Sequence, residues 1–396
     1  MRIRWSHILQ ITRALEAIMQ EGRYADAVVK EHIKSPKMGS KDRRLVATSI
    51  YDIVKNYRFY SWLAEQSGGD PKSLMHIQSV YYCLSGIDAG HIENWLIIDP
   101  EELSELLTQS DIPPQVRYSM PDWIHEKMKH LEQWSEVMKT LAEQAPVFIR
   151  VNLLRAEVED VTKYFTKVGY KYEVCNEAGC IKLFDKYNLL QDPMYLDGKF
   201  EIQDGGSQEI SLFMAPTPGA IVFDMCAGGG GKTLHLAVLM QNKGRIIAFD
   251  TSQDAIRSLL GRKERAGVKI VDAHTYEQIN LDHYDSLADQ ILCDVPCSGS
   301  GVFRREVDKK WKLTQLGLAQ LTEVQREILE NAAPILKPGG ELVYATCSIF
   351  PDENETQINQ FLAAHPKFTL LEAKTIWPQS GGTDGFYMAK LKKTTA

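Results

Sequence analysis

The chain has 396 residues, of which 44% are hydrophobic and 24% charged, with a formal net charge of −7. That length exceeds the ~250–300 residues at which a single core stops growing, so two or three domains are expected, and the composition excludes a disordered or fibrous chain. No apolar run reaches the ~18 residues a membrane span needs, and Met1-Arg-Ile-Arg-Trp-Ser lacks a signal peptide's apolar core, so a cytoplasmic protein is expected.

The seven cysteines are an odd number and none form a C-x-x-C pair. Disulfide and zinc frameworks are therefore not expected, and free thiols in a reducing compartment fit better. The negative net charge speaks against nucleic acid as a partner, because phosphate contacts need positive charge. Its distribution softens that objection. Residues 1–72 hold 13 Lys/Arg against 8 Asp/Glu, whereas residues 73–143 hold 4 against 12. Two stretches are densely basic: Lys34–Arg44, with Lys37, Lys41, Arg43 and Arg44, and Arg304–Lys312, with Arg304, Arg305 and Lys310. The bland reading of either is a solvated face.

In chain order, the first ~140 residues read as helices, with Ile8, Ile11, Leu15 and Ile18, then Leu45, Ile50, Ile53, Val54 and Tyr57, at helical spacing. Asp99-Pro100, Pro113-Pro114 and Pro121 divide the later part of this region into short helices. Beyond Pro146 the texture changes. Val147–Val151 and Tyr170–Val174 read as strands around a helix over Glu157–Val168, which predicts a small α/β module at 145–205.

From Ala220, short apolar strands alternate with amphipathic helices. The predicted strands are Ala220–Asp224, Arg245–Asp250, Lys269–Asp272, Gln290–Asp294, Glu341–Thr346 and Phe368–Leu371. Such alternation implies an α/β fold with a parallel, doubly wound sheet, whose ligands bind beyond the carboxyl ends of the strands. Asp224, Asp250, Asp272 and Asp294 close four of these strands, which points to a site along that edge.

The first strand runs into Asp224-Met-Cys-Ala-Gly-Gly-Gly-Gly-Lys-Thr. A phosphate-binding P-loop, G-x-x-x-x-G-K-[ST], would need glycine where Cys226 stands. The D-x-G-x-G-x-G loop of S-adenosylmethionine enzymes fits with Cys226 in place of its first glycine and Gly228 and Gly230 retained. Asp250, 26 residues beyond Asp224, can accept both hydroxyls of a ribose, for which a P-loop enzyme has no use. A nucleoside-containing cofactor is therefore expected at this loop.

Two thiols stand apart. Cys297 lies in Asp294-Val-Pro-Cys-Ser-Gly-Ser-Gly and Cys347 in Ala345-Thr-Cys-Ser, each just past a strand, where loops carry chemistry more often than packing. Burial as a small hydrophobe is the default for Cys83, Cys175, Cys180 and Cys293. Spacing alone leaves open which of Cys297 and Cys347, if either, is catalytic.

Together these segments resemble the Fmu/Sun (RsmB-like) family of RNA (cytosine-5) methyltransferases over residues 121–396. Asp224-Met-Cys-Ala-Gly-Gly-Gly-Gly-Lys-Thr is similar to D-x-C-A-x-P-G-G-K-T, with glycine where proline is usual. Asp294-Val-Pro-Cys-Ser-Gly-Ser-Gly is similar to D-x-P-C-S-G-x-G. Tyr344-Ala-Thr-Cys-Ser-Ile with Glu353-Asn354-Glu355, Arg150-Val-Asn152, Gln203-Asp204 and Asp384-Gly-Phe-Tyr fit as well. The resemblance implies a class I (Rossmann-like) methyltransferase domain at 206–396, using S-adenosylmethionine held by Cys226, Ala227, Gly228, Gly229, Gly230, Gly231 and Lys232, with Asp250, Asp272 and Asp294. It further implies Cys347 as nucleophile, Cys297 in product release, and Asp294 holding the base.

By the same resemblance 145–205 is an RNA-binding module, with Arg150 and Asn152 facing RNA. Arg13-Ala-Leu to Lys30, then Asp42-Arg43-Arg44 and Tyr51, resemble the NusB-like helical domain, assigned to residues 1–140, which would make Lys34–Arg44 an RNA contact, and Arg304, Arg305 and Lys310 are expected to face RNA as well. The expected partner is RNA, with 16S ribosomal RNA favoured over tRNA, and the expected state is a monomer. A P-loop nucleotide hydrolase and a non-catalytic RNA-binding assembly factor are the rival classes. An inactive relative would be expected to have lost Cys347 or Asp294, and both are present.

Overall fold

The computed structural model describes residues 3–34, 38–87, 95–109, 111–176 and 178–395. They divide into two compact units, Met1–Gln144 with Phe303–Gln315, and Ala145–Val302 with Leu316–Ala396.

The first unit is helical. Ile8, Ile11, Leu15 and Ile18 fall on one face of helix Trp5–Met19, and Ile50, Ile53 and Val54 on one face of helix Ser40–Lys55. Both faces are buried in one core, as the apolar spacing predicts. Val307 joins that core, so Arg304–Lys312, which sequence would place within the methyltransferase domain, is built into the helical unit instead. A helix leaves its last carbonyls without intrahelical partners. Lys310 Nζ donates to Lys55 O at 2.8 Å and Trp311 Nε1 to Val54 O at 2.7 Å, closing the end of helix Ser40–Lys55. At the other polarity, Asp308 accepts from the backbone N–H of Ala25, the first residue of helix Ala25–His32.

The second unit carries two sheets. The smaller is antiparallel, in the order β2-β3-β1-β4, from β1 (Val147–Val151), β2 (Tyr172–Val174), β3 (Cys180–Leu183) and β4 (Phe200–Ile202). Its helix, Val158–Val168, starts at a capping box between Glu157 and Asp160 and stops at Gly169 in the left-handed conformation, within a residue of the predicted bounds.

The larger sheet has seven strands: β5 (Ile221–Asp224), β6 (Arg245–Asp250), β7 (Val271–Thr275), β8 (Ala288–Asp294), β9 (Leu336–Thr346), β10 (Phe368–Ile376) and β11 (Phe386–Lys393). Their order is β10-β11-β9-β8-β5-β6-β7, the arrangement of a Rossmann-like methyltransferase. Alternate residues fill opposite faces: Phe223, Ile247, Ile291 and Tyr344 on one, Val222, Ile246, Leu292 and Val343 on the other.

Two expectations need correction. The sheet is not wholly parallel, because β11 runs antiparallel to both its neighbours. The sequence pattern hides β11, whose first four residues, Phe386–Ala389, are all buried and so lack the alternation of a half-exposed strand. The third parallel strand begins at Val271, so Asp272 stands near its start instead of closing it. Its carboxylate accepts from Arg245 Nε at 2.7 Å, at the amino ends of the strands and away from the glycine loop.

Candidate active site

The site forms where β5, β6, β8 and β9 end. The four strands are parallel neighbours, so the loops after them emerge on one side. The loop after β5 is stitched down from behind. Asp224 is buried and accepts from Thr233 Oγ1 at 2.7 Å and from the Cys226 N–H at 3.3 Å. Burial pushes its carboxyl up to about 7, against the opposing hydrogen bond from Thr233. Ala227 N donates to Phe249 O, Gly229 O accepts from Arg262 Nη1 at 2.7 Å, and Gly231 O accepts from Arg150 Nη1 at 2.8 Å.

Two glycines are required by geometry. Gly230 has φ +85° and a Cβ there would lie 2.7 Å from Leu259 Cγ. Gly228 has φ +52° with open space where its Cβ would project. Asp250 accepts from the Gly228 N–H and the Ser252 N–H, both at 2.8 Å, which locks the carboxylate at the end of β6 to the loop.

A cavity of about 530 Å³ opens at this edge, lined by Cys226, Asp250, Tyr276, Asp294 and Pro296, and by Ile328 of helix Gln315–Ile335. Its lining suits a nucleoside: the Asp250 and Asp294 carboxylates can accept from hydroxyl or amino groups, and Tyr276, Pro296 and Ile328 form aromatic and apolar walls. Tyr276, whose hydroxyl donates to Met225 O at 2.5 Å, was missed because it follows the misplaced end of β7. Lys232 does not reach toward a phosphate. Its Nζ is 2.6 Å from Asp294 Oδ2, and although burial alone would lower its pKa, the Asp294 carboxylate outweighs that and raises it.

Strands β8 and β9 pair with Asp294 beside Ala345, so Cys297 and Cys347 leave the sheet together. Their sulfurs are 3.2 Å apart. Cys297 is 9% exposed and Cys347 is half-buried. The Cys297 thiol is pushed well above its ordinary range, first by its hydrogen bond with Cys347, then by burial and by the nearby Glu353 carboxylate. Glu353, quoted in the sequence only as part of a motif, lies fully buried directly beneath both loops.

The residues expected to face RNA fare differently. Arg150 is 1% exposed and bonds Gln203 as well as Gly231, so it braces the cofactor loop rather than meeting solvent. Asn152 is 1% exposed and its Nδ2 donates to Gly198 O and Ala266 O, both at 2.8 Å, joining the small module to the end of helix Gln253–Ala266. Arg304 and Lys310 are 4% and 2% exposed, and Lys310 is a helix cap. By contrast Lys41, Arg43, Arg44 and Arg305 are exposed. Lys37 lies outside the described residues.

Residues 211–392 match the family described as 16S rRNA methyltransferase RsmB/F, and residues 120–189 match the ferredoxin-like domain of RsmF/B-like methyltransferases. The ribosomal RNA small subunit methyltransferase B of Erwinia tasmaniensis is 32% identical, over 96% of this chain and 97% of its own length. This chain belongs to the RsmB/F family. It is thus an S-adenosylmethionine-dependent methyltransferase of ribosomal RNA. A probable small subunit methyltransferase B from Synechocystis is 26% identical over 96% of this chain and 97% of its own. Among solved structures, a methyltransferase homolog from Pyrococcus horikoshii superposes with a TM-score of 0.62 at 28% identity, covering 75% of this chain and 100% of that one. The structure of PH0851 reaches a TM-score of 0.79 at 28% identity over 99% of both chains. Among the described residues no helix is long and apolar enough to cross a membrane.

Proposed function

We propose that this chain methylates carbon 5 of a cytosine in small-subunit ribosomal RNA through a covalent cysteine adduct. Cys347 is the nucleophile, Cys297 assists release, and Asp294 holds the base. The observation that carries this reading is the 3.2 Å separation of two sulfurs delivered by adjacent strand ends, with Cys297 three residues beyond the Asp294 that lines the cofactor cavity.

Carbon 5 of cytosine is a poor nucleophile. Addition of the Cys347 thiolate to carbon 6 pushes electron density toward nitrogen 3 and leaves carbon 5 enamine-like. A hydrogen bond from the Asp294–Lys232 pair to the base quenches the charge that develops there. Bound S-adenosylmethionine, held by the Cys226–Lys232 loop and Asp250, supplies an electrophilic methyl group. Once carbon 5 carries the methyl group, its proton must leave and the carbon 6–sulfur bond must break. Cys297 suits the second task, because its raised pKa keeps it a protonated thiol at neutral pH beside the departing sulfur. The Lys232–Asp294 pair also disfavours the P-loop reading, since it engages the lysine that would meet a phosphate. Exposed Lys41, Arg43 and Arg44 on helix Ser40–Lys55 support an RNA contact on the helical unit.

Cys347→Ala is expected to abolish methylation and leave S-adenosylmethionine affinity intact by calorimetry. Cys297→Ala is expected to accumulate a denaturant-resistant protein–RNA adduct. An adduct with Cys347→Ala instead would exchange the two roles, and full activity of Cys347→Ala would remove the reading.

A further inference from the structure

The two cysteine loops are fifty residues apart in sequence and share one buried carboxylate. Glu353 Oε1 accepts from the Ser298 N–H at 2.7 Å and from Gln325 Nε2 at 2.9 Å. Its Oε2 accepts from Ser298 Oγ at 2.5 Å and from Ser348 Oγ. Ser298 follows Cys297 and Ser348 follows Cys347, so each oxygen grips a residue next to a sulfur. Gln325 also donates to Pro296 O at 3.0 Å, and Ser300 Oγ lies 2.9 Å from Ser348 Oγ, extending the same clasp. Beneath it, the Tyr344 hydroxyl donates to the Glu353 backbone oxygen at 2.6 Å.

Glu353 is 0% exposed, and every described partner of its carboxylate is a neutral donor. A buried carboxylate held only by neutral groups is costly to desolvate, and an apolar side chain in its place would leave the Ser298 N–H, the Gln325 amide and two serine hydroxyls without their acceptor. What an apolar group could not do is hold both loops to one point.

We propose that Glu353 is a positioning residue for methyl transfer, whose carboxylate clasps Ser298 and Ser348 and thereby holds Cys297 and Cys347 at reacting distance. This inference rests on the two-cysteine reading above. The negative charge of Glu353 also helps keep Cys297 a thiol, which separates a proton donor from a nucleophile within one pair.

The test uses the full chain and the isosteric variant Glu353→Gln. Diamide, which accepts two electrons and two protons, oxidises adjacent thiols to a disulfide, and peptide mass spectrometry times the Cys297–Cys347 cross-link. Cross-linking of Glu353→Gln is expected to slow about tenfold, and single-turnover methylation of a small-subunit ribosomal RNA transcript to fall by about tenfold or more. The KM for RNA and the affinity for S-adenosylmethionine should stay within about twofold of the parent, and Glu353→Asp should recover part of both rates. Cross-linking at the parent rate in folded Glu353→Gln overturns the proposal, as does slowed cross-linking with unchanged methylation. If Glu353→Gln does not fold, Ser348→Ala removes one arm of the clasp, and the same two rates decide. Failure of the two-cysteine reading shows separately, as full methylation by Cys347→Ala while Glu353→Gln still slows the cross-link.

Discussion

Asp294–Gly301 and Arg304–Lys312 are separated by two residues in sequence, and both carry the residue types of a functional segment. They end in different units with opposite roles. The first leaves a parallel strand at its carboxyl end, where backbone geometry brings it beside another loop, and its polar groups converge on one another. The second enters the helical unit, where Val307 fills the core, Asp308 caps one helix and Lys310 and Trp311 another. Charge density in a sequence therefore does not tell a nucleic-acid face from a set of helix caps. The topological address of a segment does.

The comparison breaks most directly at Asp294. Asp294→Ala is expected to lower the methylation rate by about a thousandfold, leaving the Lys232 ammonium without its carboxylate, measured under single turnover. Activity near the parent level would strip the first segment of its role.

Arg150→Ala sharpens the distinction between bracing and binding. It removes the donor to Gly231 O and leaves a cavity in a buried site, so stability to urea should fall by about 3 kcal/mol. The salt dependence of RNA binding should not move, and a changed salt slope would restore Arg150 to the RNA surface.

Asp250→Ala should weaken S-adenosylmethionine binding by about 2 kcal/mol in calorimetry, as the loop loses its anchor at Gly228 and the ligand a charged acceptor. An unchanged affinity would mean that the ribose is held elsewhere.

The two basic stretches can be set against each other on RNA. Replacing Lys41, Arg43 and Arg44 by alanine should reduce the slope of log affinity against log salt by about 2–3, at ~0.7–0.9 per phosphate contact. Lys310→Met should leave the slope unchanged. The reverse result would mean that the exposed stretch is a solvated face and the buried one is not.

Lys310→Met should also show the smallest effect, in pH dependence. Burial pushes the Lys310 ammonium down to about 7, with a minor contribution from Lys55. Above that value the folded chain leaves it neutral while the unfolded chain keeps it protonated up to the ordinary lysine range near 10.4. Its contribution to stability is therefore present above that range and is lost as pH falls toward 7. In scanning calorimetry the melting temperature of Lys310→Met should vary less between pH 7 and 10 than that of the parent. Parallel curves would show that Lys310 is charged in the folded state.

Much of the methyltransferase sheet was legible because parallel strands buried on both faces read as short apolar runs, and four of the six predicted strands end within a residue of where the structure ends them. Of the other two, Phe368–Leu371 stops five residues short of the end of β10, and β7, with the weak pattern Val271-Asp-Ala-His-Thr, hid its true end and cost both Asp272 and Tyr276. Arg150 and Asn152 could not be told from surface residues, since a sequence does not show whether the partner of a donor is water, RNA or a carbonyl eighty residues away.

By itself the sequence determined the chemical parts: a glycine loop too crowded by Cys226 for a P-loop, an aspartate placed for a ribose, and two thiols just past strands. Local pattern suffices there, because backbone conformation and strand ends are written within a few residues of each motif. Only the tertiary structure decided which parts meet. The 3.2 Å between Cys297 and Cys347, the grip of Lys232 on Asp294 and the clasp of Glu353 across two loops arise from strand order. That order joins segments fifty or more residues apart, a distance over which neither periodicity nor spacing carries information.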